Sequence, residues 1–457
     1  MNKLITVIAG LLVALAASTS AQAAVATRGD VNQDTQVNSA DIQMIADIIA
    51  GTLQPTETQR ALADVNGDGL VDAADIAAVV AIITNGPAAE PAWVGGDMSM
   101  LSAYEAHHQL ARTKYKIKNV GYYDVDGVAI NDVLTYVAEQ GWNTVRVRLF
   151  VNPANADASD KGEGVIQNLD TVVNLGKRIK AAGLRFVLDF HYSDSWADPV
   201  QQYTPADWAD LDDDALADTI YTYTRHCLRV LRDAGAVPDA IQTGNEISYG
   251  MLWGPVGTST SSLLKCNSGS DANWDRFTRL LKQAGKACRE ICPYAKIILH
   301  TERLARTSIM LNFYDKMKSA EVDYDVIGLS YYPYYHGKIS VLSSGLSTLE
   351  LRYPDKEIMI VETGHSYHYK VGDTDTDYAL TYEGQKEFTT ALVTTLKRYD
   401  CVTGVIWWFP EANEYGLGGS YWNALHVNDG WYNAGLWDHE TGRALPALQE
   451  LSTLNDE

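Results

Sequence analysis

Eight short apolar runs, set apart by helix-like stretches, occupy the 366 residues after Pro91 and restrict the fold more than any other feature of the chain. They are Trp93 to Asp97, Thr144 to Phe150, Arg185 to Phe190, Ala240 to Thr243, Lys296 to His300, Asp325 to Leu329, Glu357 to Val361 and Gly404 to Trp408. Between them apolar residues recur at helical spacing over Val128 to Glu139, Leu169 to Ala182, Asp214 to Ala234, Trp274 to Glu290 and Gly384 to Tyr399. Parallel strands need a crossover of that length, and the sheet they make is covered by the crossover helices. Eight such units predict an α/β fold of the closed (β/α)8 kind, a TIM barrel, whose chemistry collects at the carboxyl ends of its strands.

A chain of 457 residues has room for that barrel and one smaller domain. Hydrophobic residues at 46% and charged residues at 21% are an ordinary globular balance, so a large core is available. The net charge of −22 repels a polyanion, which argues against nucleic acid as a partner. Eleven Trp and 26 Tyr against seven Phe favour rings with an apolar face and a hydrogen-bonding tip, the combination that sugars use.

Lys3, the apolar run from Leu4 to Ala17 and the closing Ala21-Gln22-Ala23 predict a secretory signal peptide. The run is shorter than the ~20 residues of a membrane anchor, and no cysteine stands near the cleavage point for lipid attachment. The mature chain is therefore expected outside the cytoplasm, extracellular or periplasmic, without a membrane span and as a monomer. Five cysteines, Cys227, Cys266, Cys288, Cys292 and Cys401, are too few and too scattered for a disulfide scaffold, so buried thiols or one bridge are expected.

A twelve-residue acidic pattern occurs twice, 34 residues apart. Asp30, Asn32, Asp34, Gln36, Asn38 and Asp41 stand at positions 1, 3, 5, 7, 9 and 12 of the first copy, and Asp64, Asn66, Asp68, Leu70, Asp72 and Asp75 repeat them. Ca²⁺ takes six to eight oxygens, and this spacing supplies side-chain oxygens with a backbone carbonyl from position 7, here Gln36 and Leu70. Position 6 is Gly69 in the second loop but Thr35 in the first, so the sharp turn is harder in the first loop, which should bind more weakly. Each loop leads into an apolar helix, Ile42 to Ile49 and Ile76 to Ile83, and neither shows a convincing helix before it, which reads as a half EF-hand used twice. Nine acids against Arg60 over residues 29 to 86 make metal binding part of the folding energy. The expected division is a signal peptide over 1–23, an all-α calcium-loop module over 24–86, a linker over 87–91 and the catalytic barrel over 92–457.

The predicted strand ends are polar and aromatic. Strand 3 runs into Asp189-Phe-His191-Tyr-Ser-Asp-Ser-Trp196, strand 4 into Gly244-Asn245-Glu246, strand 6 into Ser330-Tyr331-Tyr332, strand 7 into Glu362 and strand 8 into Trp407-Trp408. Glycosidic cleavage needs one carboxylic acid to protonate the leaving oxygen and a second carboxylate to attack or to activate water. Glu246 and Glu362 are the candidates, and Arg146 and Arg148, on one face of strand 2, are expected to hold the nucleophile ionised. Trp196, Trp253 and Trp408 are the candidate sugar platforms, and Asp189, His191, His300, Tyr331 and Tyr332 complete the expected substrate-binding rim. Taken from the residues alone, mannan, xylan or β-glucan remain open as substrates, as does a silent sugar-binding barrel.

Two resemblances narrow this reading. The duplicated loops resemble a dockerin, which implies Ca²⁺ as the bound ion and a cohesin-type protein as partner. The order Gly95-Gly-Asp97-Met-Ser99, Asn143-Thr-Val-Arg146-Val-Arg148, Asp189 to Pro199, Gly244-Asn-Glu246-Ile, Ile327 to Pro333, Val361-Glu-Thr-Gly364, Ala434 to Asp438 and Gly442 to Pro446 resembles family 53 glycoside hydrolases, the endo-β-1,4-galactanases. The resemblance implies Glu246 as acid/base, Glu362 as nucleophile, Asn245 on the sugar 2-hydroxyl, β-1,4-galactan of pectic type I arabinogalactan as substrate and no cofactor for the chemical step. This chain departs from the family with Phe409 after the strand 8 tryptophan, Glu411 following two positions on, and with His300-Thr-Glu302 after strand 5.

Overall fold

The computed structural model describes residues 27–85, 90–258, 263–266, 271–368, 376–418, 426 and 431–456. The predicted signal segment, residues 24–26 and 86 of the predicted module and residues 87–89 of the predicted linker lie outside the described residues.

Eight parallel strands close in chain order into a barrel. They are β1 (Trp93–Asp97), β2 (Thr144–Leu149), β3 (Arg185–Phe190), β4 (Ala240–Thr243), β5 (Lys296–Thr301), β6 (Val326–Tyr331), β7 (Glu357–Thr363) and β8 (Val402–Trp408). All eight predicted strands are present, and β1, β3 and β4 have the predicted ends. Three module helices precede them, α1 (Ser39–Ile49), α2 (Glu57–Ala63) and α3 (Ala73–Asn85). Around the barrel lie α4 (Leu101–Thr113), α5 (Val133–Glu139), α6 (Leu169–Ala181), α7 (Asp213–Asp233), α8 (Asp271–Ile291), α9 (Thr307–Ser319), α10 (Ile339–Arg352), α11 (Tyr382–Leu396) and α12 (Pro446–Ser452). The helix expected from Val128 starts instead at Val133, because Asp132 caps it by accepting the Thr135 N–H at 3.0 Å and Ala129 is taken by a bridge to Tyr123.

Alternation along the strands splits the barrel interior into two layers. Trp93, Val187, Ala240, Ile298, Val326, Met359, Val361 and Ile406 fill the lower one and are buried together. Nearer the carboxyl ends, Asp97, Arg146, Asp189, Gln242, His300 and Ser330 are buried too, yet all are polar. Burial of that many polar groups is stable only where they bond one another, so this layer is where function is to be sought. The outward strand residues pack with the helices in one continuous core that includes Phe186, Leu188, Leu228 and Leu281.

The module has its own small core of Val31, Ile45, Leu62, Ala63, Val65 and Val79. Its second loop is preceded directly by α2, so that half is helix, loop, helix, contrary to the expectation that neither loop has an entering helix. Only seven residues long, α2 carries a weak periodic signal, but Thr56 and Gln59 form a reciprocal capping box at its start. All five cysteines are free thiols, and all except Cys401 are buried. Among the described residues no helix is long and apolar enough to cross a membrane.

Candidate active site

β4 ends in a tight left-handed turn in which Gly244 has φ 106° and Glu246 φ 48°. A Cβ at Gly244 would stand 2.7 Å from Ile247 Cγ2, so only glycine fits there. Left-handed backbone costs a residue with a side chain roughly 1–2 kcal/mol, and it persists here because the surroundings hold it. The Ile247 N–H donates to the His300 carbonyl at 3.0 Å, and Glu246 Oε1 accepts from the Ser330 hydroxyl at 2.7 Å. The strained turn thus aims the Glu246 carboxyl across the barrel mouth.

Glu362 arrives from the opposite side. The register between β6 and β7 shifts after Leu329, which sets Ser330 opposite Glu362. Arg146 Nη1 lies 3.0 Å from Glu362 Oε1, and the Tyr332 hydroxyl donates to Oε2 at 3.1 Å. One carboxyl oxygen from each glutamate and a ring nitrogen of His300 all lie within 4.8 Å of one another. Those three groups have the composition of a metal site, but the Arg146 guanidinium already supplies positive charge against Glu362.

Burial, with Glu362 and Glu302 nearby, pushes the Glu246 carboxyl well above its ordinary range. Burial also raises Glu362, but Arg146 and the Tyr332 hydroxyl oppose it and the group reaches about 7. Two carboxyls this close cannot both ionise freely, and the one paired with a guanidinium is the one that carries charge. Glu246 is therefore the proton holder of the pair.

Arg146 is the hub beneath them. It reaches Asp97 at 2.9 Å, Asp189 at 2.8 Å and the Asn245 side-chain oxygen at 2.9 Å as well as Glu362. Asn245 donates its amide N–H to the Ala197 carbonyl at 2.8 Å, which sets which end of the amide faces Arg146. His191 Nδ1 accepts the Ala197 N–H at 3.2 Å, so Nε2 carries the proton toward Asp189 at 3.0 Å. Burial would raise Asp189, but Arg146 and His191 hold it below the usual carboxylate range. Burial and the Arg146 charge keep His300 neutral, well below the usual histidine value.

Above this layer opens a cleft of about 760 Å³. Of the predicted residues, Arg146, Arg148, His191, Trp196, Asn245, Glu246, Tyr332, Glu362 and Trp408 line it. Arg148 departs from its expected role: it pairs with Asp97 at 3.0 Å instead of Glu362, and its guanidinium stacks over Trp196 at 4.8 Å and Trp408 at 5.9 Å. It props two aromatic walls.

Four predicted rim residues lie elsewhere. Asp189 and His300 are fully buried below the cleft floor and support the residues that line it. Tyr331 is the strand residue that points outward, donating to the Gly337 carbonyl at 3.0 Å and stacking near Phe388 in the helix layer. Trp253 is buried, with its indole N–H on the Tyr249 carbonyl at 3.1 Å, and does not line the cleft. A tryptophan in a polar loop reads the same whether it packs or binds, and only the loop's path decides.

Sequence reasoning missed Glu163, Glu302, Arg303, Arg306 and Tyr335, which also line the cleft. Tyr335 is 57% exposed, from the helical turn that follows β6. The His300-Thr-Glu302 spacing was the one available signal for Glu302, whose carboxyl accepts from the Ser248 hydroxyl at 2.8 Å. Glu411 is fully buried away from the cleft, accepts the Met100 N–H at 2.7 Å and is pushed up to about 8 by burial. Two positions beyond Phe409, it takes no part in the cleft.

The module's loops fit a hard cation by their donor chemistry. In the first loop Asp41 accepts backbone N–H groups from Val31, Asn32 and Asn38, and Asp75 accepts the equivalent three from Val65, Asn66 and Asp72 in the second. These bonds fold each loop around its own acids, and every donor named at positions 1, 3, 5, 9 and 12 is an oxygen carrier. Asp30, Asn32, Asp34, Gln36, Asn38 and Asp41 would hold one Ca²⁺, and Asp64, Asn66, Asp68, Leu70, Asp72 and Asp75 the other. The first loop holds Gln33 and Thr35 at φ 59° and 71°, where the second has Gly67 and Gly69.

A closed barrel whose strand tips bring two carboxyls together in an aromatic-walled cleft is the framework of a glycoside hydrolase. The chain belongs to glycosyl hydrolase family 53, whose sequence profile matches residues 93–451, and the dockerin type I domain profile matches residues 28–84. An arabinogalactan endo-beta-1,4-galactanase of Thermothelomyces thermophilus is 32% identical over 60% of this chain and 79% of its own length. An endo-beta-1,4-galactanase of Bacillus subtilis is 31% identical over 56% of this chain and 54% of its own. Among solved structures, the Ignisphaera aggregans GH53 catalytic domain superposes with a TM-score of 0.63 at 29% identity, covering 80% of this chain and 97% of that one. A structure of fungal beta-1,4-galactanases gives 0.63 at 28% identity, covering 79% and 99%.

Proposed function

We propose that the protein is a secreted endo-β-1,4-galactanase that hydrolyses the β-1,4-galactan of type I arabinogalactan, the pectin side chain, with retention of anomeric configuration. The observation that carries the mechanism is the approach of Glu246 and Glu362 to within 4.8 Å. Retaining enzymes hold their carboxyls about 5–5.5 Å apart, whereas inverting ones leave space for a water. Glu362, the more readily ionised of the two because Arg146 and Tyr332 oppose its burial, attacks the anomeric carbon while Glu246 gives its proton to the leaving oxygen. The sugar is then held as an ester on Glu362, and Glu246, now a carboxylate, takes a proton from the water that releases it. The second N–H of the Asn245 amide is what remains for the 2-hydroxyl. Trp196, Trp408 and Tyr335 supply apolar faces for the sugar rings.

The same proposal takes the chain as a signal peptide over 1–23, a module over 24–86, a linker over 87–91 and a catalytic barrel over 92–457. The dockerin module folds on Ca²⁺ and engages a cohesin-type partner outside the cytoplasm, and the enzyme acts as a monomer. Ile49 on α1 and Val80 and Ile83 on α3 are exposed apolar residues that suit such a contact.

Time-resolved product analysis on linear β-1,4-galactan, with mannan, xylan and β-glucan alongside, tests the assignment. Short galacto-oligosaccharides are expected from the native chain and none from Glu246→Ala or Glu362→Ala. Release from one of the other polymers, with galactan untouched, overturns it.

A further inference from the structure

The module does not hang free of the barrel. Arg28 lies over the Tyr294 ring at 4.0 Å, donates to the Val65 carbonyl at 3.3 Å and pairs with Asp239 at 3.4 Å. Asp239 belongs to the barrel floor, since it also accepts the Phe186 N–H at 2.8 Å and pairs with Lys180 at 2.9 Å. Tyr294, just beyond α8, packs on the module's core. At the other end of α2, Glu57 pairs with Arg225 at 3.3 Å and with Arg229, both on α7. The barrel therefore grips α2 directly at its first residue, and reaches the residue two past its last through the module's own Arg28.

The two calcium loops meet this arrangement unequally. A Cβ at Gly69 would lie 3.4 Å from the Arg232 carbonyl oxygen and the Gly235 Cα, and one at Gly67 would lie 3.0 Å from the Arg28 guanidinium. The second loop is thus pressed against the turn that follows α7. Gln33 to Gln36 of the first loop are exposed, as are Asp68 to Leu70 of the second, so the loops differ in the barrel backbone that stands behind Gly69 and not in exposure. A helix of seven residues is far below the length that stands alone in water, so α2 needs an external support to enter the second loop in order.

We propose that the barrel face formed by α7, the end of α8, Tyr294 and Asp239 is a docking surface for the chain's own module, and that seating α2 there tightens calcium binding by the second loop alone. The ordering of α2 is completed by the barrel before the ion arrives, so less conformational freedom is lost on binding. Linkage makes the effect reciprocal: calcium in the second loop holds the module on the barrel. The proposal rests on the reading of both loops as calcium sites.

The test is calorimetric Ca²⁺ titration of the full chain after chelation, with Asp34→Ala and Asp68→Ala to assign each heat to a loop. Glu57→Arg, which sets a cation against Arg225 and Arg229, and Tyr294→Ala, which leaves the module sequence untouched, should each weaken the second site about tenfold and leave the first unchanged. Pairing Glu57→Arg with Arg229→Glu, which leaves Arg225 on Glu290 at 2.8 Å, should restore part of it. Unchanged affinity at the second site in both variants overturns the coupling, as does an equal fall at both sites, which means general loss of the module. Absence of calcium heat at either loop in the native chain sinks the loop reading itself and this inference with it.

Discussion

Replacing Tyr332 by Phe removes one hydroxyl and keeps the ring that fills the site. That hydroxyl donates to Glu362 Oε2 at 3.1 Å, and the residue is only 6% exposed, so water does not take its place readily. A hydrogen bond to a charged group contributes about 1.5–3 kcal/mol, and 1.36 kcal/mol corresponds to one pKa unit, so the loss is worth about 1–2 units. The bond favours the ionised carboxylate, so Glu362 should climb from about 7 by that amount. Attack needs the ionised form, and the acid limb of kcat/KM on linear β-1,4-galactan should move up by about 1–2 units. On the plateau above that limb the rate should largely recover. Initial rates of reducing-end release across both limbs measure it. A limb that stays in place while the rate falls equally at every pH would refute the reasoning, because Tyr332 would then touch only the sugar.

Three further outcomes are expected. The fold raises Glu362 from 4.5 to about 7, so the native state holds its proton more tightly and loses stability as pH rises through that window. Glu362→Gln should therefore raise Tm by about 2–4 °C at neutral pH and by nothing below about pH 4, and calorimetry showing equal gains at both would count against it. Thr35 sits at φ 71°, costly for a β-branched residue, and Thr35→Gly should tighten first-loop calcium binding about fivefold, the equivalent of about 1 kcal/mol in titration. Tyr335 stands 57% exposed on the cleft rim, and Tyr335→Ala should raise KM for long galactan about fivefold with kcat kept; a fall in kcat alone would deny it a platform role.

The eight strands were legible because a parallel sheet buried on both faces needs continuous apolar runs, and such runs do not depend on anything distant. The duplicated acidic loops were legible for a similar reason, since all their oxygen-bearing residues lie within twelve residues. Short α2 was missed, as its seven residues hold too little periodicity and its support comes from α7 and α8, far along the chain. Tyr331 and Tyr332 show the limit within the site itself. Adjacent residues at a strand end face opposite ways, and composition treats the two as equals, whereas the register of β6 sends one into the helix layer and the other to Glu362.

By itself the amino-acid sequence determined the barrel, the paired acidic loops and the two glutamates at strand ends, because periodicity, local ligand spacing and residue type are properties of neighbours along the chain. Tertiary structure alone decided which arginine meets Glu362, that Arg148 braces Trp196 and Trp408, that Trp253 is packed away, and that the second loop leans on the barrel. Each of those depends on the closure of strands and helices scores of residues apart, where a shift of one position reverses a side chain's direction.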